Sequence, residues 1–376
     1  MKTVFALQEC AYVNEWFGIL PNDVTLLMFR KRRSDIQALS YKSYSIDRVK
    51  TVVIPRYISS ENNFTTIKIV DHIFYTLSAF ALLPYILTKK SVVIVTPPFW
   101  VGMIVPFLKL FKKDVYIVSS DPQTRLYYTA KESRNPLIHA YWNAANLLEK
   151  LTIKLSTKVF VVSQYSRKLY SRYNKNVVCT PNGADTDLIE STKPKRRFKK
   201  FTITYMGSFD PWRSVDMLVE AFLILQKRHK NIKLLLIGGG NMDRVREMSK
   251  GNSDITITGW IESHEDVIAY CKGSDCLLMP PRKSEMAQTV NSMKCYEYIA
   301  CEVPLVVTDT GEHAKLVRNL GVGLVCEANP EDIARSIEKM IKNKKLYRKF
   351  KDNCKEKKRM VDFKITRSPF IKSLNS

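Results

Sequence analysis

Glu297 is the acid in this chain whose setting best suits recognition of a pair of sugar hydroxyls. It stands in Asn291-Ser292-Met293-Lys294-Cys295-Tyr296-Glu297-Tyr298-Ile299-Ala300, a polar helix start with one inward acid, ahead of a turn with Pro304 and a buried strand Leu305-Val306-Val307. A carboxylate on the first turns of a helix that opens beside phosphate-binding amides can accept hydrogen bonds from vicinal hydroxyls such as those of a nucleotide ribose. The same letters also describe an ordinary amphipathic helix feeding a strand. Arg213 follows a strand and a glycine turn in Gly207-Ser208-Phe209-Asp210-Pro211-Trp212-Arg213 and adds a permanent cation whose fork matches phosphate oxygens. Asp121, at a strand end in Val118-Ser119-Ser120-Asp121-Pro122, could orient or deprotonate an acceptor hydroxyl. It could equally cap a helix ahead of Pro122. None of the five histidines has motif support.

Positioning such residues takes sheets with helices between the strands. Short apolar runs alternate with helical patterns along the chain: Val92–Val95, Val115–Val118 and Val159–Val162 in the first half, with a helix from Tyr141 to Leu155. A second series runs through Phe201–Met206, Lys233–Ile237, Ile255–Ile257, Cys276–Met279, Leu305–Val307 and Gly323–Val325, before a capped helix over Pro330–Ile341. Alternation of this kind predicts an α/β protein with two doubly wound parallel sheets. At 376 residues the chain is long enough for two domains, each with its own core. The basic, proline-bearing stretch 191–200 reads as an exposed linker between a domain over 1–190 and one over 201–360. Residues 361–376 read as a terminal helix.

The stretch from Ser292 to Val307 resembles the donor-site element of GT-B glycosyltransferases of the retaining family-4 type, also described as glycosyl transferases group 1. Ser292, Lys294, Glu297, Tyr298, Ala300, Pro304, Val306 and Val307 carry the likeness. Val161-Val162-Ser163 with Pro181-Asn182-Gly183-Ala184-Asp185, and the Gly207 turn with Arg213, are similar to two further family elements. The resemblance implies two Rossmann-like domains facing a central cleft, an acceptor domain first and a nucleotide-sugar domain second, with the terminal helix crossing back to the first. It implies that Arg213, Lys294 and helix amides hold the departing diphosphate while Glu297 fixes the ribose. The expected donor site also includes Gly207, Ser208, Gly259, Trp260, Ile261, Thr289, Val290 and Ser292, and Asp121 joins Arg213 as a catalytic candidate. A nucleotide diphosphate sugar would be the donor substrate, with neither cofactor nor metal.

Three positions depart from the family pattern. Ser208 stands where relatives commonly have arginine, Thr289 stands eight positions before Glu297 where many have a first glutamate, and Gln8-Glu9-Cys10-Ala11-Tyr12 lacks the glycine-rich loop. A catalytically degenerate scaffold and a nucleotide-sugar epimerase therefore stand as alternatives.

Sixty Lys and Arg against 36 Asp and Glu give a net charge of +24, of which +11 lies before residue 191. Such a field attracts nucleic acid, anionic membranes or phosphorylated substrates. No finger, helix-turn-helix or RNA-binding aromatic pattern supports nucleic acid. The uncharged segment from Ile73 to Thr88 is too short to span a bilayer and holds Pro84, so it reads as a buried or interfacial helix. Together with the charge it suggests docking at an anionic inner leaflet, where a lipid-linked or glycan acceptor would lie. Eight cysteines without CxxC pairs, several inside apolar runs, suit a reducing cytoplasm.

Overall fold

The computed structural model describes residues 3–7, 25–28, 76–77, 79–89, 91–95, 101–119 and 136–375. Two compact units are formed, one from residues 1–181 with 368–376 and one from 182–367.

The first unit carries a six-stranded parallel sheet of β1 (Thr3–Leu7), β2 (Thr25–Met28), β3 (Ser91–Val95), β4 (Asp114–Ser119), β5 (Lys158–Val161) and β6 (Val177–Cys179), in the order β2-β1-β3-β4-β5-β6. Central strands of a parallel sheet are covered on both faces, and Val92 to Ile94, Val115, Ile117 and Val159 to Val161 are accordingly buried. Helix Ser368–Asn375 belongs to this unit. There Phe370 stacks edge-on against Phe160 at 4.9 Å and Lys158 Nζ donates to Ser373 Oγ at 3.1 Å. The segment expected as a helix from Ile73 to Thr88 is helical at 76–77 and 79–81 and over Leu83–Leu87. Gln8 to Tyr12 and Asp121 lie outside the described residues.

The second unit repeats the plan with β7 (Phe201–Met206), β8 (Ile232–Ile237), β9 (Ile255–Ile257), β10 (Cys276–Met279), β11 (Leu305–Thr308) and β12 (Gly323–Cys326), in the order β12-β11-β10-β7-β8-β9. The sequence order reverses at the neighbours β10 and β7, and open α/β sheets place ligands beyond the strand ends at such a switch point.

The boundary between the units lies after residue 181 rather than after 190. The Ala184 amide donates to the Val361 carbonyl, the Phe363 amide donates to the Ala184 carbonyl, and the Thr186 hydroxyl donates to Asp362. These bonds tie 182–190 to the second unit. Nor does 191–200 run free: the Lys195 amide donates to the Ala269 carbonyl, Arg196 makes a two-pronged pair with Asp275, and Lys200 pairs with Asp254 at 2.5 Å. Arg196 and Lys200 are thus matched by acids that stand just before β10 and β9. Cys271, Cys276, Cys295, Cys301 and Cys354 are buried thiols, and the described cysteines form no disulfide.

Candidate functional site

Glycine turns end three adjacent strands of the second unit. Gly207 (φ 130°) follows β7, Gly238 (φ 132°) follows β8 and Gly259 (φ 72°) follows β9. The Gly238 amide donates to the Gly259 carbonyl at 3.0 Å, and the Phe209 amide donates to the Gly239 carbonyl at 2.8 Å. A β-carbon at 238 would strike the Gly207 carbonyl, and one at 207 would lie 2.5 Å from Lys294 Cε. Left-handed backbone and absent side chains thus let these turns close on one another and on Lys294.

Helix Met293–Ala300 enters this corner with Ser292 as its N-cap, whose side chain makes no capping bond. The first amides of the helix therefore point their positive end toward the site. Lys294 lies against the Tyr205 ring, its Nζ 4.8 Å from the centroid, and donates to the Tyr205 hydroxyl at 3.2 Å. That hydroxyl donates in turn to the Ser208 carbonyl at 2.8 Å. Burial, reinforced by the Arg213 charge, holds the Lys294 ammonium well below the ordinary lysine range, with Glu297 and Asp210 opposing. A bound anion would add to the counter-charge that Glu297 and Asp210 give the ammonium.

Arg213 closes the other side. Asp210 takes the Ser208 hydroxyl at 2.6 Å and pairs with Arg213 Nε at 3.4 Å, while the guanidinium lies 4.2 Å from the Trp212 ring centroid. Ser208, which removes one cation from the family pattern, instead bonds the carboxylate that aims the remaining one. Between these groups opens a pocket lined by Tyr205, Arg213, Val290, Ser292, Lys294 and His313, among others.

Glu297 is buried one helical turn beyond Lys294, and its Oε1 meets Nε2 of the exposed His264 at 2.9 Å. His313 was invisible to motif reading. It lies in the first turn of helix Gly311–Leu320, its Nε2 is 3.0 Å from Thr310 Oγ1, and its Nδ1 has no hydrogen-bond partner among the described residues. Burial pushes its pKa down to about 4. A neutral imidazole therefore lines a pocket otherwise rich in cations.

The expected donor residues do not all meet in one place. Arg213, Val290, Ser292 and Lys294 share the pocket, and Gly207, Ser208 and Glu297 adjoin its residues. Thr289 is fully buried and its hydroxyl donates to the Glu285 carbonyl, so it closes the short helix Glu285–Thr289. Ile261 packs against the core. Trp260 is exposed beside Gly239, with Gly259 forming the turn beneath it. Asn182 is buried and donates to the Asn291 carbonyl at 2.5 Å, pinning the residue that precedes Ser292. Among the described residues no group of three or more His, Cys, Asp or Glu side chains is placed to hold a metal ion.

The family model "Glycosyl transferases group 1" matches residues 189–357, the stretch that carries every one of these pocket residues. It is this segment, a little under half of the chain, that is similar to the group 1 glycosyltransferases. An uncharacterised glycosyltransferase of Methanocaldococcus jannaschii is 27% identical over 206 residues, 54% of this chain and 54% of its own length. The chain thus spans about half the length of that relative. Sucrose-phosphate synthase from Thermosynechococcus elongatus superposes with a TM-score of 0.73 at 16% identity, covering 99% of this chain and 98% of that one. The Anabaena protein HepE, solved with UDP-glucose, superposes with a TM-score of 0.71 at 12% identity, covering 100% and 99%. The glycosyltransferase domain and its companion sheet form a GT-B fold.

Proposed function

We propose that this glycosyltransferase moves a sugar from a nucleoside diphosphate sugar to an acceptor hydroxyl with retention of configuration, the acceptor being lipid-linked or a surface glycan. One observation carries the donor reading: Lys294 and Arg213 line one pocket, and Glu297 stands one turn along the helix that bears Lys294.

In this reading the diphosphate occupies the pocket. Arg213 offers its fork, Lys294 a point charge, and the first amides of helix Met293–Ala300 a fixed dipole. These groups stabilise the negative charge that grows on the diphosphate as its bond to the anomeric carbon breaks. Glu297 accepts the ribose hydroxyls in place of, or alongside, His264. The acceptor oxygen bonds the same carbon, and its proton passes to a base, for which Asp121 is the candidate. Catalysis is positional and electrostatic, with the donor as the only small molecule required besides the acceptor.

The experiment is a thermal-shift and calorimetric screen against UDP-, GDP- and dTDP-sugars and the free nucleotides, on the wild type and on Glu297→Ala. Saturable stabilisation by one nucleotide class, lost in the variant, is the expected result. No response to any of them would instead favour a scaffold without turnover. Sugar interconversion with no acceptor present would favour an epimerase.

A further inference from the structure

Seven of the ten large apolar side chains that stand exposed among the described residues come from one part of the first unit. On the helical stretch formed by Val101–Ile104 and Val105–Leu110, Met103, Phe107, Leu110 and Phe111 fall at i, i+4, i+7 and i+8, one face of a helix. Leu110 is 77% exposed and Phe111 56%. On the neighbouring helix Pro136–Leu155, Leu147 (69% exposed) and Leu151 repeat the pattern at i and i+4. The two helices touch where Gly102 leaves no room for a β-carbon against Thr152, one residue from both Met103 and Leu151. Phe80 meets Phe107 edge-on at 5.4 Å, and Leu77, one turn before Phe80, is exposed as well. Apolar side chains at this density are unusual on a free surface and mark a contact with something apolar.

The charges around them decide what that is. Residues 101–113 and 136–155 contain Lys109, Lys112, Lys113, Lys150 and Lys154 against one acid, Glu149, and that acid is buried. Lys112 and Lys154 are exposed. A second copy of this chain seated on the face would set lysine against lysine. An anionic bilayer offers hydrocarbon to the aromatic and leucine side chains and headgroup charge to the lysines, whose stems can lie along the apolar surface. No described helix is long and apolar enough to cross a membrane.

We infer that this face of the first unit, centred on Phe107, Leu110 and Leu147, docks on the surface of an anionic lipid bilayer. The inference goes beyond the donor-site reading and stands without it, because docking is measured with neither donor nor acceptor present.

The test is flotation of the full chain with phosphatidylcholine vesicles and with vesicles that also contain phosphatidylglycerol. Three variants run beside the wild type: Leu110→Ser with Phe111→Ser, Leu147→Ser with Leu151→Ser, and Lys112→Glu with Lys113→Glu. Circular dichroism of each variant confirms its fold. The wild type should float with the phosphatidylglycerol vesicles and stay behind with neutral ones. The two apolar variants should lose most of that binding, and each lysine removed should weaken it about fivefold. Equal capture by neutral vesicles, undiminished binding by folded apolar variants, or a concentration-dependent dimer abolished by the same apolar changes would each overturn the inference.

Discussion

His264 Nε2 stands 2.9 Å from Glu297 Oε1, so the carboxylate that best suits a ribose is held by an exposed imidazole rather than by a buried cation. An exposed partner is easily displaced. Glu297→Ala should weaken nucleotide binding by about 1.5–3 kcal/mol, the range for hydrogen bonds to a charged group. His264→Ala should cost well under that, because its side chain only occupies the carboxylate. Calorimetric titration of both variants with UDP or the nucleotide found by screening checks the order, and equal losses would place His264 in the site itself.

Lys294 should destabilise the unliganded protein. Its folded pKa is depressed by burial and by Arg213, so between the folded and ordinary lysine values the unfolded chain binds the extra proton and stability rises with pH. Below that window the penalty is present in full. Lys294→Met should raise the melting temperature of the free protein at neutral pH and abolish the further rise produced by nucleoside diphosphates. A differential scanning experiment with and without ligand reads both effects.

Gly207 carries φ 130°, and Lys294 lies where its β-carbon would be. Gly207→Ala should cost about 1–3 kcal/mol of stability from the backbone alone. It should also push Lys294 off the Tyr205 hydroxyl, so the variant loses more diphosphate affinity than its folding defect accounts for. Denaturant melts and nucleotide titration on the same preparation separate the two losses.

Two buried groups should give opposite pH dependence in one window. His313, near 4 in the fold against an ordinary 6.5, stays neutral while the unfolded chain takes up a proton, so stability falls as pH drops from 6.5 toward 4. Glu149 is pushed up to about 7 by burial, with Tyr170 and Lys150 opposing, and stays protonated while the unfolded chain ionises. Stability therefore falls as pH rises from 4.5 toward 7. Each effect amounts to ~3 kcal/mol at full extent. His313→Gln should flatten the acid limb, and Glu149→Gln should flatten the limb toward neutrality, in urea melts followed across pH. Because the two groups lie in different units, unit-specific fluorescence probes should assign each limb.

Much of the architecture was legible in the amino-acid order because strand and helix periodicities are local. Phe201–Met206, Ile255–Ile257 and Cys276–Met279 emerge with the ends read from the sequence. The short strand Thr25–Met28 was not foreseen, since so few residues become a strand only when a sheet edge accepts them. The boundary at 181 was hidden for a related reason: Ala184 and Asp362 are neighbours through contacts that cross almost the whole second unit.

Residue chemistry was determined by the sequence alone: two cations and an acid at the ends of strands, a glycine turn, and a helix start suited to phosphate. Which of them meet was decided by tertiary structure. Lys294 and Arg213 share a pocket because β7 and β10 are adjacent strands of one sheet, and Thr289 turns its hydroxyl to its own helix. His313 joins the pocket from a helix far along the chain, with no local pattern to announce it. Periodicity and residue type act over a few residues, whereas a pocket is made by strand order, and strand order follows from how a whole sheet buries its faces.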